Sequence, residues 1–280
     1  MTAKPGREAA FYLAPAFLLA LGVVLVPLVF IVITSVWSPA TGFSLEAYRG
    51  LAESPLFRRS LLTTFEISAM GAALSLLLGY PVALHLSRLA PRARAFCMIL
   101  VLVPFWTSIL VKSYAFTVIL GKQGIINSVL SWIAGSEVYV PMLLNRVGVM
   151  VGMTNYLVPF VVFPLLASLL AIDKSIYHAV EILGAKPPTV FWKVTLPLSM
   201  PGVTSALLST FVMSTGFFVI PALLGGRKDV MLANLVDFYT RETLDWNTAA
   251  AIGVILLGIV TLIAGTAMQF QRSRGLARGT

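Results

Sequence analysis

Two ionisable side chains stand well inside long apolar runs: Glu66 in "LLTTFEISAMGAAL" and Lys112 in "TSILVKSYAF". A charge at membrane depth costs about 3 kcal/mol or more unless it is paired or wet. Each therefore marks either a salt bridge between neighbouring helices or the lining of a polar path. Trp106, Ser108, Asn155, Tyr156, Ser214, Phe217 and Phe218 occupy interior positions of the same runs and join the candidate lining, although any one of them alone is commonly a packing residue or a helix-to-helix hydrogen bond. Bond-making chemistry has little to work with. The chain has one cysteine, Cys97, and two histidines, His85 and His178, too few for a disulfide, a cysteine-rich metal site or a catalytic triad. No G-x-x-x-x-G-K-[ST] loop is present, and "GAKPPT" lacks the spacing that wraps amides around a phosphate, so nucleotide energy must come from another chain.

The elements that hold these residues are membrane helices. With 58% hydrophobic and 11% charged residues, the chain has more apolar surface than a soluble core of 280 residues buries. Runs long enough to cross a bilayer, roughly 20 helical residues, are Phe11 to Trp37, Leu61 to Ser87, Phe96 to Leu120, Val147 to Ile172, Val203 to Leu224 and Thr248 to Phe270. The pattern predicts an all-α polytopic membrane protein with six transmembrane helices, the first a retained anchor after the basic start "MTAKPGR". No repeat or linker interrupts it, so residues 1–280 read as one transmembrane domain, with an N-terminal helix at about 11–37, core helices at about 61–270 and a polar excursion at about 173–202.

The net charge of +9 is topological. If both termini share a side, that side collects Lys4, Arg7, Arg88, Arg92, Arg94, Lys174, Lys186, Lys193, Arg272, Arg274 and Arg278 against Glu8, Asp173 and Glu181. The opposite loops are nearly balanced, so the basic side is expected to be cytoplasmic and no nucleic-acid partner is implied. Among the loops, "SPATGFSLEAYRGLAESPLFRRS" has room for one short helix, and "GKQGIINSVLSWIAGSEVYVPMLLNR" reads as a re-entrant or interfacial segment.

The excursion "AVEILGAKPPTVFWKVTLPLSMPG" is the oddest stretch. Ile176, Ala179, Val180 and Leu183 fall on one face of a short helix, with Lys174, His178 and Glu181 on the other. Gly184 suits a left-handed cap, Pro187 and Pro188 prevent immediate resumption, Thr189 is placed to cap a second short turn through "VFWKVTL" before Pro197, and Pro201 with Gly202 is expected to redirect the chain into the fifth membrane helix. A helix lying on the inner headgroups shares this pattern.

The series Ala179, Gly184, Val194, Leu196, Pro197 resembles the EAA signature of inner-membrane permeases of ATP-binding-cassette importers, with every spacing matched. Two positions depart from it: His178 replaces the leading Glu and Val180 the second Ala, with Glu181 one turn on as a substitute acid. "VPFWTSILVKSYAF", "IPALLGG" and "LDWNTAAAIGVILL" extend the likeness over nearly the whole chain, toward the branch that moves spermidine and putrescine.

The resemblance implies a type I importer (MetI-like) permease fold in a bacterial inner membrane with both termini cytoplasmic. It implies that His178 to Pro197 is a coupling helix seated in an ATPase dimer, with His178, Ala179, Val180, Glu181, Gly184, Ala185, Phe191, Val194, Leu196 and Pro197 as the coupling set. It further implies no enzymatic activity and no cofactor in this chain, ATP and Mg being held by the ATPase, and as partners a second permease of different sequence, an external solute-binding protein and membrane lipid. Polyamine permeases of this branch commonly carry an acid near the position of Phe217. A polycation in a low-dielectric passage needs opposing charge, and Glu66 is the only carboxylate well inside the runs, so polyamines, opines and amino-acid-like solutes all stay open. The alternative, a stand-alone secondary transporter or channel, calls for inverted repeats or several buried titratable groups.

Overall fold

The computed structural model describes residues 5–38 and 42–276. Lys4 and Arg278 of the charge pattern lie outside them, as do the side chains of Arg7, Glu8, Arg272 and Arg274. The elements are α1 (Pro5–Val36), a hairpin of β1 (Trp37–Ser38) and β2 (Gly42–Phe43), α2 (Glu46–Glu53), α3 (Pro55–Arg88), α4 (Pro91–Trp106), α5 (Ile109–Leu120), α6 (Ile125–Ala134), α7 (Arg146–Leu170), α8 (Lys174–Ile182), α9 (Pro187–Val190), α10 (Leu196–Thr215), α11 (Val219–Leu224), α12 (Leu232–Arg241) and α13 (Trp246–Leu276). Among the described residues six helical stretches are long and apolar enough to cross a membrane, the number the sequence pattern predicts, but the third is Ile109–Ala134 rather than Phe96 to Leu120 and the fifth is Pro187–Thr215 rather than Val203 to Leu224. Their boundaries differ at two places.

The run Phe96 to Leu120 is broken in two rather than forming one helix. α4 stops at Trp106, Thr107 and Ser108 are extended, and α5 opens at Ile109. Pro104 has no N–H to give Leu100 and crowds its carbonyl, which weakens the last turn. A tight turn, Gly124 N–H to Gly121 O at 2.9 Å, joins α5 to α6. The loop beyond α6 is held by buried Asn127, whose amide spans Gly121 O and Val140 O and whose oxygen accepts the Val140 N–H at 3.0 Å.

The run Val203 to Leu224 is divided too: α10 ends at Thr215, Gly216 caps it, and α11 follows from Val219. At its other end α10 begins earlier than expected. Pro197 and Pro201 do not redirect the chain, because a π-helical turn, Phe191–Thr195, precedes them and the Leu196 N–H bonds back to Phe191 O. Pro197 follows directly on the π-helical turn, and the helical stretch continues through it from Pro187 to Thr215. Thr189 lies inside α9, whose cap is Lys186 with Pro187 behind it, so the expected Thr189 cap is not formed.

The chain divides into two compact units, Met1–Arg58 with Leu235–Ile259 and Arg59–Asn234 with Val260–Thr280. In the first, Asn247 ties the ends of two helices by donating to Thr34 O and Trp37 O at 2.8 and 3.1 Å. The second holds the core, in which α7 packs against α3 and α10. One cluster joins Tyr80, Ala83, Val161, Leu165 and Ala206, and another joins Ile67, Met153, Leu157, Phe217 and Ile220. Close approach is set by small residues: a side chain at Gly202 would collide with Ser168 and Pro164, and one at Gly79 with Val161. The Tyr80 and Ser199 hydroxyls meet at 2.8 Å inside this core.

Candidate functional site

The α4–α5 break positions Lys112. Ending α4 at Trp106 frees the Pro104 carbonyl from helical pairing, and the Lys112 ammonium, one turn into α5, donates to it at 2.6 Å. The same ammonium sits 5.0 Å from the centroid of the Tyr156 ring. Tyr156 and Phe160 lie one turn apart on α7 and stack at 5.7 Å. Phe217 meets Tyr156 edge-on at 4.9 Å, and Phe105 approaches Phe160 at 5.5 Å. Trp106 lies 6.4 Å beyond Phe105 and is 82% exposed. The structure thus gathers Lys112, Tyr156, Phe217 and Trp106 from the sequence candidates, and adds Phe105, Phe160 and the Pro104 carbonyl, which sequence reasoning missed.

A cleft of about 660 Å³ opens beside this group. Its walls are mostly apolar, with Leu74, Leu77, Val101 and Val158 among them, and Asn155 lines it as an exposed polar side chain. Asn155 makes no side-chain hydrogen bond among the described residues. The Ser108 carbonyl accepts the Lys112 N–H at 3.0 Å, while Ser108 itself is exposed. Ser214 faces elsewhere: it is fully buried and bonded to Phe211 O within its own helix, so it does not reach the cleft. Phe218 is half-buried, and its carbonyl accepts from Asn234 at 3.0 Å.

Glu66 and Lys112 do not pair with each other. Glu66 bonds to Arg146 at 3.1 Å, and Arg146 bonds to Asp229 at 2.7 Å. The salt-bridge option therefore applies to Glu66, with a partner the sequence placed among loop charges. Arg146 reaches it because Asn145 caps α7 by accepting the Val147 and Gly148 N–H groups, which sets Arg146 on the first turn. Asp229 is buried, and its second oxygen accepts the Gly226 N–H at 3.2 Å. The Asn145 cap just ahead of an apolar run was the signal available for Arg146; Asp229 had none, because only the loop fold buries it.

The excursion forms a second site. Asp173 caps α8 by accepting the Ser175 N–H at 2.8 Å, a bond that holds its carboxyl below the usual carboxylate range. At the far end Gly184 adopts φ +71°, its N–H bonds Glu181 O at 2.9 Å and the Ala185 N–H bonds Val180 O at 3.3 Å. These two bonds make a Schellman cap, as the glycine predicts. Ile182 and Leu183 are 87% and 83% exposed, with Ala179 exposed nearby. His178 and Glu181 approach at 3.8 Å on the same short helix. Val180, Ala185 and Val194 are half-buried and Pro197 is exposed. Phe191 meets Tyr80 edge-on at 5.8 Å, and Leu196 packs on the core of Val161, Leu165 and Ala206. Tyr177, unmarked in the sequence, reaches Thr195 at 3.3 Å and fastens α8 to the π-helical turn.

Residues 71–274 match the model of the family described as binding-protein-dependent transport system inner membrane component. The chain is 30% identical over 224 residues to the spermidine/putrescine transport system permease protein PotB of Salmonella typhimurium strain SL1344, covering 79% of this chain and 78% of that one. PotB of Escherichia coli K12 is equally similar, with 81% of its length covered. Among solved structures, a bacterial alginate transporter with its alginate-bound periplasmic protein superposes with a TM-score of 0.77 at 18% identity, over 96% of both chains. The methionine transporter MetNI in an inward-facing form gives 0.60 at 18% identity, over 78% of this chain and 95% of that one. The chain is therefore a multi-pass inner-membrane transport subunit rather than an enzyme, and it belongs to the family of binding-protein-dependent transport system inner membrane components.

Proposed function

We propose that this chain is one of two permease subunits of an ATP-driven importer that receives a small amine-bearing organic solute from an external binding protein. The observation that carries the reading is the capped α8, which extends Ile182 and Leu183 away from the core while Phe191 and Leu196 root the segment behind it. A lever of this build suits docking in a cleft of an ATPase dimer. Its apolar tip fills the cleft, and the rooted end transmits force to α10. ATP and Mg are bound by that ATPase. Closure of the ATPases draws the coupling segments together and turns the permease pair outward, and hydrolysis returns it.

The basic residues Arg88, Arg92, Arg94, Lys174, Lys186 and Lys193 support a cytoplasmic side for the loops that carry them, and by the same positive-inside rule both termini are assigned to the cytoplasm in this reading. The amine class draws support from the spermidine/putrescine relatives. The second permease is a different chain, as is usual in this branch. Co-purification from membranes tests the reading: wild-type chain should carry an ATPase with it, and Leu183→Asp should release it. An intact wild-type chain that carries none would refute it.

A further inference from the structure

The first unit holds a cavity of about 440 Å³ between the last turn of α1, α2, α12 and the start of α13. A void of this size takes a small organic molecule. Its deepest walls are closed: Leu51 is buried, and the buried Ser35 hydroxyl donates to Val32 O at 2.7 Å and accepts from Tyr48 at 2.8 Å. Its mouth is open and polar, with Glu46 exposed and Asp245 and Asn247 half-buried. One Asp245 oxygen caps α13 by accepting the Thr248 N–H at 3.0 Å, and the other accepts nothing among the described residues. Asn247 commits its amide hydrogens to Thr34 O and Trp37 O, which leaves only its oxygen to face a ligand. Tyr239 and Thr248 add hydroxyls.

The lining is therefore rich in acceptors and poor in donors. No lysine, arginine or histidine lines it, and among the described residues neither Glu46 nor Asp245 has a cationic partner. Two carboxylates on one cavity repel each other, and a group that brings positive charge and several N–H donors at once relieves both deficits. A lone calcium ion needs six or more oxygens at about 2.4 Å, a shell much tighter than this cavity.

We infer that this cavity binds a small organic cation through a primary ammonium, with Asp245 and Glu46 as counter-charges and the Asn247 oxygen as a further acceptor. Binding there needs no ATPase and goes beyond the importer reading, from which only the side is taken. With the amino terminus cytoplasmic, α1 carries the chain across the membrane, so the cavity opens on the outer side.

The test is calorimetric titration of the purified full chain in detergent, without binding protein or ATPase, against putrescine, the diol of the same chain length and succinate. Putrescine is expected to bind, and the diol and the diacid are not. Asp245→Asn, which keeps a capping side chain, should weaken putrescine about tenfold, the order of one hydrogen bond to a charged group. Glu46→Gln, at an exposed position, should weaken it about threefold. Gly50 lines the cavity with open space around it, so Gly50→Leu is accommodated and should occlude the site. Thermal unfolding checks that each variant is folded. A wild-type chain that binds no putrescine, or binds the diol or succinate equally well, overturns the inference. So does putrescine binding unchanged by all three substitutions, or displaced by calcium. A chain that carries no ATPase overturns the importer reading alone, so the two failures are distinct.

Discussion

The Arg146 guanidinium bonds to Asp229 at 2.7 Å across 83 residues of sequence, and its other arm holds Glu66 at 3.1 Å. The first turn of α7, the loop after α11 and the body of α3 are thereby fastened at one point. Removing one member of a largely buried pair strands the other. Asp229→Ala is expected to cost about 2 to 4 kcal/mol and Glu66→Gln, whose side chain is more than half exposed, less than about 1 kcal/mol. Thermal unfolding of the purified chain in detergent checks the order; equal losses would show that burial of Asp229 carries no weight.

Gly184 sits at φ +71° with open space around it, so only the backbone resists a side chain there. Gly184→Val should cost about 1 to 2 kcal/mol locally and unseat the Schellman cap, while Gly184→Asn, which tolerates that conformation, should be mild. ATPase activity of the assembled complex is the readout, expected to fall for valine and to persist for asparagine.

Asp173 holds its carboxyl below the usual range through the Ser175 N–H. A group so depressed stabilises α8 at every pH above the unfolded value of about 3.9, and that contribution is lost as pH falls from there through the folded value. Amide protection factors along Ser175 to Glu181, which remove the intrinsic pH dependence of exchange, should therefore be unchanged between neutral and mildly acidic pH and fall only in strong acid. Asp173→Ala should show the lowered protection at neutral pH.

Gly202 allows α10 to lie against Ser168 and Pro164 of α7. Gly202→Leu should push the two helices apart and lower folded yield by more than any substitution at exposed Met200, two residues earlier on the opposite face of α10. Fluorescence-detected size-exclusion of membrane extracts measures this directly.

The sequence made the six crossings legible because apolar length is a strong signal, and it made the α8 cap legible because Gly184 followed by two prolines leaves few options. It did not reveal the breaks after Trp106 and Thr215, since a short extended link inside an apolar run leaves hydropathy unchanged. The prolines misled at α10: a π-helical turn just ahead of them lets the helix run on, and no composition rule marks such a turn. Of the site, Lys112 and Tyr156 stood out as residue types, but their pairing depends on how α5 meets α7. Glu66 was visible and its partner was not, because Arg146 reads as an ordinary loop charge until α7 is seen to begin there.

Docking of α8 in an ATPase, as proposed, can be caught by cross-linking from Leu183→Cys in a Cys97→Ser background within native membranes. A cross-link to an ATPase subunit that changes in yield with bound nucleotide is expected. A probe at that cysteine that is instead quenched by lipid, with no cross-link in any nucleotide state, would contradict it and make α8 a helix lying on the membrane surface.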